Sequence, residues 1–211
     1  MMPLITAAVR SASTALLTVP LVMAAMASTP GLYQAALAEP ANWEIDPGNS
    51  SIGFSADHIG YKSVLGLFLE ERGSFTYDEE TRELTDLVFE VDTASVLTDN
   101  PARDRHLKSG DFLDAEAHPL IRFVMTEAMA ESETTGTIIG DLTIRGVTNP
   151  VAVDVTLNRI APYPWGGNYV MGVSASSVVE RSAFGSTYAL EGGLVGDEIS
   201  LTFEIEAIRQ D

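Results

Sequence analysis

The stretch Ile199-Ser-Leu-Thr-Phe-Glu-Ile-Glu-Ala207 decides the fold class, because apolar and polar side chains alternate along it without a break. Successive side chains of a β-strand point to opposite faces, so this period of two predicts a strand with one apolar and one polar face. A register shift of one residue would turn the whole apolar set towards water. The pairing of such a strand is therefore strongly specified.

The same alternation recurs along most of the chain, at residues 52–56, 87–91, 121–125 and 151–157. Turn-forming residues lie between these runs, and the pattern predicts eight or nine strands. The one convincing helical segment lies near residues 101–109, with Asp99 or Asn100 as its cap and Pro101 at its first position. Many antiparallel strands with one apolar face must close into a barrel or pair as a sandwich. An eight-stranded barrel holds either a side-chain core or one ligand, and the alternation leaves both open.

Residues 1–38 have the composition of a secretory signal peptide. Arg10 is their only charged residue, and an uncharged run rich in Ala, Leu, Val and Met follows it. Ala36-Leu-Ala38 offers a small-x-small cleavage site, and Ala25-Met-Ala27 is a competing one. We expect export to the periplasm, cleavage after Ala38, a short lead at 39–42 and no stable membrane insertion afterwards. An uncleaved anchor is the alternative, which the prolines of this segment disfavour.

The charge and the lack of cysteine exclude several functional classes. Lys and Arg number 12 against 30 Asp and Glu, which gives a formal net charge of -18. This acidity argues against nucleic-acid binding, which needs a basic face, and against adhesion to anionic lipid surfaces. Without cysteine, the chain has no disulfide, thiolate metal site or thiol nucleophile. An exported domain of this kind must be held together by its core.

One basic cluster interrupts the acidic chain, at Arg103-Asp-Arg-His-Leu-Lys108. It can be interpreted as a site for an anion or a polar head group, since a guanidinium suits phosphate and an imidazole suits a phenol or quinone oxygen. The alternative is a solvated helical turn whose cations pair with Asp104, Asp111 and Asp114. A buried Arg103–Asp104 pair that holds the helix on the domain is a further structural interpretation.

A series of short motifs occurs in order between residues 43 and 209. They are Trp43-Glu-Ile-Asp46, Ser50-Ser-Ile-Gly-Phe54, His58-Ile-Gly60, Val64-Leu-Gly-Leu-Phe68, Arg103-Asp-Arg-His-Leu-Lys-Ser109, Asp111-Phe-Leu-Asp114, Pro119-Leu-Ile-Arg-Phe123, Gly140-Asp-Leu-Thr-Ile-Arg-Gly-Val-Thr-Asn-Pro-Val151 and Val195-Gly-Asp197. In order and spacing they resemble the YceI-like family of polyisoprenoid-binding, lipocalin-like periplasmic proteins.

The resemblance implies an all-β fold, a single antiparallel, lipocalin-like eight-stranded barrel over residues 43–209, around a long apolar tunnel. The tunnel would sequester an isoprenoid lipid, such as a polyprenyl phosphate, an isoprenoid quinone or a similar amphiphile, with no further cofactor required. The predicted tunnel residues are Ile52, Phe54, Phe68, Phe89, Phe112, Phe123, Leu142 and Phe203. The predicted head-group residues are His58, Arg103, Arg105, His106 and Lys108.

The chain departs from the family pattern at two positions. The family usually has Phe where Leu113 stands, and often has Asp where Ala183 stands. The first departure alters local packing. The second puts the head-group preference in question, if that acid orients a head group or an arginine.

The histidines do not form a recognisable catalytic or metal motif. His58, His106 and His118 are widely spaced, and the chain has neither an H-E-x-x-H pair nor a G-x-S-x-G elbow. We therefore expect a metal-free binding protein and not an enzyme. Two alternatives to a lipid carrier are a quinone-bearing electron-transfer accessory and an exported stress or interaction module whose barrel is filled by side chains. A homodimer also stays open.

Overall fold

The computed structural model describes residues 39–210 of the chain. The predicted signal peptide lies outside the described residues, so export and cleavage after Ala38 stay predictions. Eleven strand segments, one α-helix and two 3-10 turns (Thr93–Ser95 and Arg181–Phe184) make up the described part. The strands and the helix are β1 (Ala41–Ile45), β2 (Ser51–His58), β3 (Lys62–Phe68), β4 (Glu71–Tyr77), β5 (Leu84–Asp92), β6 (Val96–Leu97), α1 (Pro101–Lys108), β7 (Leu120–Ala130), β8 (Thr135–Ile144), β9 (Val147–Pro162), β10 (Tyr169–Glu180) and β11 (Glu198–Arg209).

The strand segments combine into the eight strands of a closed antiparallel barrel. β1 and β2 are two halves of one strand, since both pair with β11. The following strand, β3 with β4, pairs with that first strand, and β5 with β6 pairs with β3 and β4 in turn. β7 to β11 complete the order, and the pairing of Trp43 with Arg209 closes the ring. The predicted eight-stranded antiparallel barrel is confirmed.

The predicted helix is present as α1. The side chain of Asn100 accepts hydrogen bonds from the backbone N–H groups of Ala102 and Arg103, at 3.1 Å each. Pro101 occupies the first turn, where its missing N–H would have had no partner. Of the two candidate caps, Asn100 therefore begins the helix.

The two ends of the barrel differ in how they are covered. At the end that we call the hairpin end, residues 78–83, 131–134 and 163–168 connect the strands. A buried cluster of Trp43, Phe75, Met171 and Ala207 lies near this end. At the opposite end, which we call the helix end, α1 belongs to the long connection between β5 and β7, and residues 181–197 connect β10 to β11.

The interior face of the barrel is apolar but incompletely buried. Leu201, Phe203 and Ile205 of β11 are each half-buried, while Thr202 and Glu204 between them are exposed. Interior side chains of a filled barrel would be fully buried, because protein cores pack at the density of organic crystals. The partial exposure of the inward set shows that it borders empty space. This finding disfavours the side-chain-filled alternative.

Two aromatic rings of the interior lie directly over glycines. The ring of Phe123 covers Gly140, so that a Cβ atom at Gly140 would collide with the ring and would lie 2.6 Å from the carbonyl oxygen of Val124. The ring of Phe54 covers Gly66 in the same way. Glycine is required at both positions because the space above the backbone belongs to a neighbouring ring.

We expect Gly140→Ala to lower the free energy of unfolding by about 1–3 kcal/mol, because the added methyl group overpacks the interior. Urea unfolding measures the change. Gly172→Ala is the matched control, since a Cβ atom there would meet only the Cβ of Asn158, at 4.0 Å. Equal stability of the two variants would contradict the packing described for Phe123.

β4 begins with a buried acid, Glu71, and only 8% of this residue's surface is exposed. Burial raises the pKa of Glu71 above its ordinary value of 4.5, because desolvation disfavours the carboxylate. The folded state then binds more protons than the unfolded state just above pH 4.5, so stability falls as the pH rises through this window.

Glu71→Gln should therefore stabilise the protein near neutral pH, and the gain should disappear below the ordinary pKa of the carboxyl. Urea unfolding at the two pH values tests this. Glu70→Gln is the control, because the neighbouring Glu70 is exposed and should show no such pH-dependent gain. A gain of equal size at both pH values would show that the substitution acts through something other than ionisation.

Candidate lipid-binding cavity

The barrel encloses a cavity of about 390 Å³ that extends from the helix end to the hairpin end. Its wall is built from the inward-facing residues of the strands, and most of these are aliphatic or aromatic. All eight predicted tunnel residues lie in this wall: Ile52, Phe54, Phe68, Phe89, Phe112, Phe123, Leu142 and Phe203. The structure thus brings them together around one space, while their contact with a lipid stays a prediction.

Two aromatic pairs shape the cavity. Phe54 and Phe68 lie on neighbouring strands with their ring centroids 5.6 Å apart. Phe89 and Phe203 belong to β5 and β11, which are not neighbours in the barrel, and their rings meet edge to face at 6.0 Å. The second pair therefore spans the interior and narrows the cavity near its middle.

Charged residues of the described cavity wall occur only towards its two ends: Arg181 at the helix end, Arg82 and Glu133 at the hairpin end. Arg82 and Glu133 form an ion pair at 3.7 Å, and their side chains are 46% and 86% exposed. The wall between the ends is formed mainly by aliphatic and aromatic side chains. A bound amphiphile would find polar partners only where the cavity ends.

The cavity reaches the protein surface near the hairpin end. β5 pairs with β7 only from Val88 to Asp92. The remainder of β7, beyond Met125, pairs with β8 alone, and its exposed residues Ala128 and Met129 belong to the cavity wall. The barrel therefore has a gap between these strands, and the Arg82–Glu133 ion pair lies beside it.

Arg181 is the site residue that sequence reasoning missed. It follows β10 directly, is 7% exposed and donates three hydrogen bonds to backbone carbonyls of its own connection. Its Nε donates to Gly196, at 2.8 Å, and its two terminal nitrogens donate to Ser186 and Val195, at 2.8 and 2.9 Å. The available signal was its position two residues before Ala183, where the family often has an acid, but this position does not reveal on its own that the side chain turns inward.

Three rings cover the helix end beside Arg181, and we call His106, Phe112 and Tyr188 the aromatic plug. Their centroids are 5.0 to 5.3 Å apart, and each pair is edge to face. The guanidinium of Arg181 lies 5.8 Å from the centre of the Phe112 ring. Arg145 holds this region in place, since its guanidinium donates to the carbonyl oxygen of Phe112 at 2.6 Å. The plug thus joins the connection after α1 to the connection between β10 and β11.

None of the five predicted head-group residues belongs to the cavity wall. Arg103 donates from Nε to the hydroxyl of Thr98 and from a terminal nitrogen to its carbonyl oxygen, at 2.7 Å each. Asp104 accepts from the backbone N–H of Thr98 at 2.8 Å and from its hydroxyl. Both charges therefore bind Thr98 rather than forming the Arg103–Asp104 pair that we considered.

The other head-group candidates lie at the surface around α1 and at the end of β2. His58 and Arg105 are exposed, and Lys108 is half-buried. His106 is the candidate nearest the cavity, because its ring belongs to the plug and its Nε2 lies 2.9 Å from a carboxylate oxygen of Asp111. A head-group role for these residues stays a prediction.

The barrel and its motifs can be compared with known proteins. The family model described as "YceI-like domain" matches residues 43–207. A UPF0312 protein of Pseudomonas aeruginosa is 35% identical over 190 residues, which cover 89% of this chain and 97% of that protein.

The chain belongs to the YceI-like family. Among solved structures, Burkholderia cenocepacia BcnA superposes with a TM-score of 0.68 at 19% identity, covering 77% of this chain and 98% of that one. A polyisoprenoid binding domain from Saccharophagus degradans superposes with a TM-score of 0.63 at 10% identity, covering 80% and 98%. At these identities the two superpositions show a shared fold.

The structure locates both departures from the YceI-like pattern. Leu113 is half-buried and belongs to the cavity wall, so its smaller side chain leaves room where the family has a phenylalanine ring. Ala183 is exposed, whereas Arg181 is buried. Position 183 lies on the exposed side of the 3-10 turn Arg181–Phe184, so the loss of an acid there does not by itself alter the cavity wall.

Two further properties apply to the part of this YceI-like chain that the structure describes. Within residues 39–210, no helix is long and apolar enough to cross a membrane. In the same range, no group of three or more His, Asp and Glu side chains is placed to hold a metal ion.

The contacts of Thr98 yield a prediction about the basic cluster. Thr98→Val should lower the free energy of unfolding by about 1–3 kcal/mol, because Arg103 and Asp104 each lose a hydrogen-bond partner. Thr93→Val is the matched control, since the Thr93 hydroxyl is buried without a partner and its removal should be neutral or stabilising. Urea unfolding of both variants measures this. Equal losses would show that the Thr98 hydroxyl does not hold the helix.

Proposed function

We propose that the protein binds an isoprenoid lipid, or an amphiphile of similar shape, inside its barrel and carries it in the periplasm. The observation that carries the proposal is the open apolar interior, in which inward-facing side chains border a cavity of about 390 Å³. This volume lies within the range of roughly 300–1,000 Å³ that is usual for small-molecule sites. An empty apolar space inside a barrel is disfavoured unless something apolar fills it.

A hydrocarbon tail fits the chemistry of this wall. Removal of each CH₂ group from water contributes about 0.8 kcal/mol, so a tail gains affinity along its whole length without directional contacts. The methyl branches of an isoprenoid would pack against rings such as Phe89 and Phe203, which meet across the interior. Polar groups at the ends of the cavity would then orient the ligand.

Family membership supports binding over catalysis. YceI-like proteins are binding proteins, and the fold of this chain is shared with a polyisoprenoid binding domain. The periplasmic location rests on the composition of residues 1–38 and stays part of the proposal.

Filling the cavity should abolish binding. We expect a prenyl alcohol such as farnesol to raise the melting temperature of the purified protein, because a ligand that binds only the native state stabilises it. Ala175→Phe should remove this rise, since Ala175 belongs to the cavity wall. Ser176→Phe is the matched control, because the next residue of β10 is exposed on the outer face and the rise should persist.

Native mass spectrometry of the same two variants provides an independent measurement. The Ser176→Phe variant should carry a lipid-sized mass that organic solvent extracts, and the Ala175→Phe variant should not. A wild-type protein that carries no ligand and shows no thermal shift with farnesol would refute the proposed function.

A further inference from the structure

The charge of Arg181 lies inside the protein without a carboxylate partner. Its hydrogen bonds go to three backbone carbonyls, which carry only partial charge. In the described part of the chain, no ion pair joins it to an acid. A buried cation without a counter-ion is costly, so its presence in a cavity wall calls for an explanation.

The acid whose charge acts on Arg181, Asp197, does not neutralise it through an ion pair. Asp197 accepts from the backbone N–H of Ser182 with one carboxylate oxygen, at 2.9 Å, and from its hydroxyl with the other, at 2.7 Å. Burial lowers the pKa of Arg181, and the attraction of Asp197 only partly opposes this. Both oxygens of Asp197 thus hold the turn in place.

The guanidinium also retains unused donors. Each terminal nitrogen of an arginine carries two N–H bonds, and the structure pairs one on each nitrogen of Arg181. The side chain belongs to the cavity wall. A ligand oxygen that enters this end of the cavity can therefore meet both a positive charge and unused donors, and phosphate and carboxylate are the groups that arginine binds best.

The other arginine of the cavity wall is less suited to this role. Arg82 already pairs with Glu133, and both side chains are exposed to solvent, which screens the charge. Arg181 is buried beside the Phe112 ring of the aromatic plug, where solvent screens its charge less and a charge-assisted hydrogen bond is stronger.

We propose that Arg181 binds the anionic oxygens of the ligand's polar end, a phosphate or a carboxylate, at the helix end of the cavity. The apolar tail then extends towards the hairpin end, along the wall of aliphatic and aromatic side chains. The aromatic plug closes over the polar end, and His106 lies in that plug. This assignment rests on the proposed lipid-binding function and names the chemical class of its ligand.

The test compares the binding of two ligands with the same tail, farnesyl phosphate and farnesol. The protein is purified from cells that express the full chain, and bound lipid is then removed from it. Native mass spectrometry or intrinsic fluorescence titration measures the affinities. We expect farnesyl phosphate to bind about tenfold tighter or more, because charge-assisted hydrogen bonds add to the shared tail. The net charge of -18 would by itself favour the neutral alcohol, so a preference for the anion requires a specific cation.

Two substitutions identify which arginine provides the cation that prefers farnesyl phosphate. Arg181→Gln should bring the two affinities together, mainly by weakening farnesyl phosphate, while Arg82→Gln should keep the wild-type preference. Arg181 also holds its own turn, so the substitution could unfold the protein. Wild-type protein with ¹⁵N-labelled arginine therefore gives a second measurement, in which the Arg181 side-chain resonance, assigned with Arg181→Lys, should shift with farnesyl phosphate and not with farnesol.

The outcomes separate this proposal from the one on which it rests. If farnesol binds as tightly as farnesyl phosphate or tighter, or if Arg82→Gln is the variant that removes the preference, the role of Arg181 is refuted while lipid binding stands. If neither ligand binds, the lipid-binding function itself fails.

Discussion

The pairing of β11 with β1 and β2 closes the barrel, and the remaining features of the protein depend on this closure. It leaves the eight-stranded ring without a free edge at that seam, and it fixes which side chains face inward. Backbone hydrogen bonds around the ring support a wall whose interior is not filled. The cavity can exist because these backbone hydrogen bonds, in addition to side-chain packing, hold the strands in place.

The distribution of polar groups gives the cavity a direction. Arg181 is buried at the helix end and lacks a carboxylate partner, whereas Arg82 is exposed and paired with Glu133 at the hairpin end. An apolar wall separates them. The electrostatic asymmetry suits a ligand with one anionic end and a long apolar remainder, and the gap between β5 and β7 would let the far end of a tail reach the surface.

The basic cluster of α1 shows how far local charge can be interpreted. Its concentration of cations predicted a head-group site, yet Arg103 binds Thr98, and the Asp104 beside it binds the same residue. His106 contacts the cavity wall through the ring of Phe112, and a head-group role for the cluster stays a prediction. Charge density along a sequence records which side chains are present, but partners such as Thr98 and Tyr188 lie on other elements and decide what each cation does.

The sequence by itself determined the strands, the capped helix and the inward phase of residues such as Phe123 and Phe203, because these follow from a period of two residues along each strand and from adjacent capping residues. Tertiary structure alone decided whether the barrel is filled or open, since that depends on the closure of the ring and on where rings such as Phe89 lie across it. It also decided that Arg181 turns inward without an acid. That placement depends on backbone carbonyl groups within residues 186–196, which the connection brings back to the helix end of the barrel. No local sequence pattern specifies these contacts between residues up to 15 positions apart.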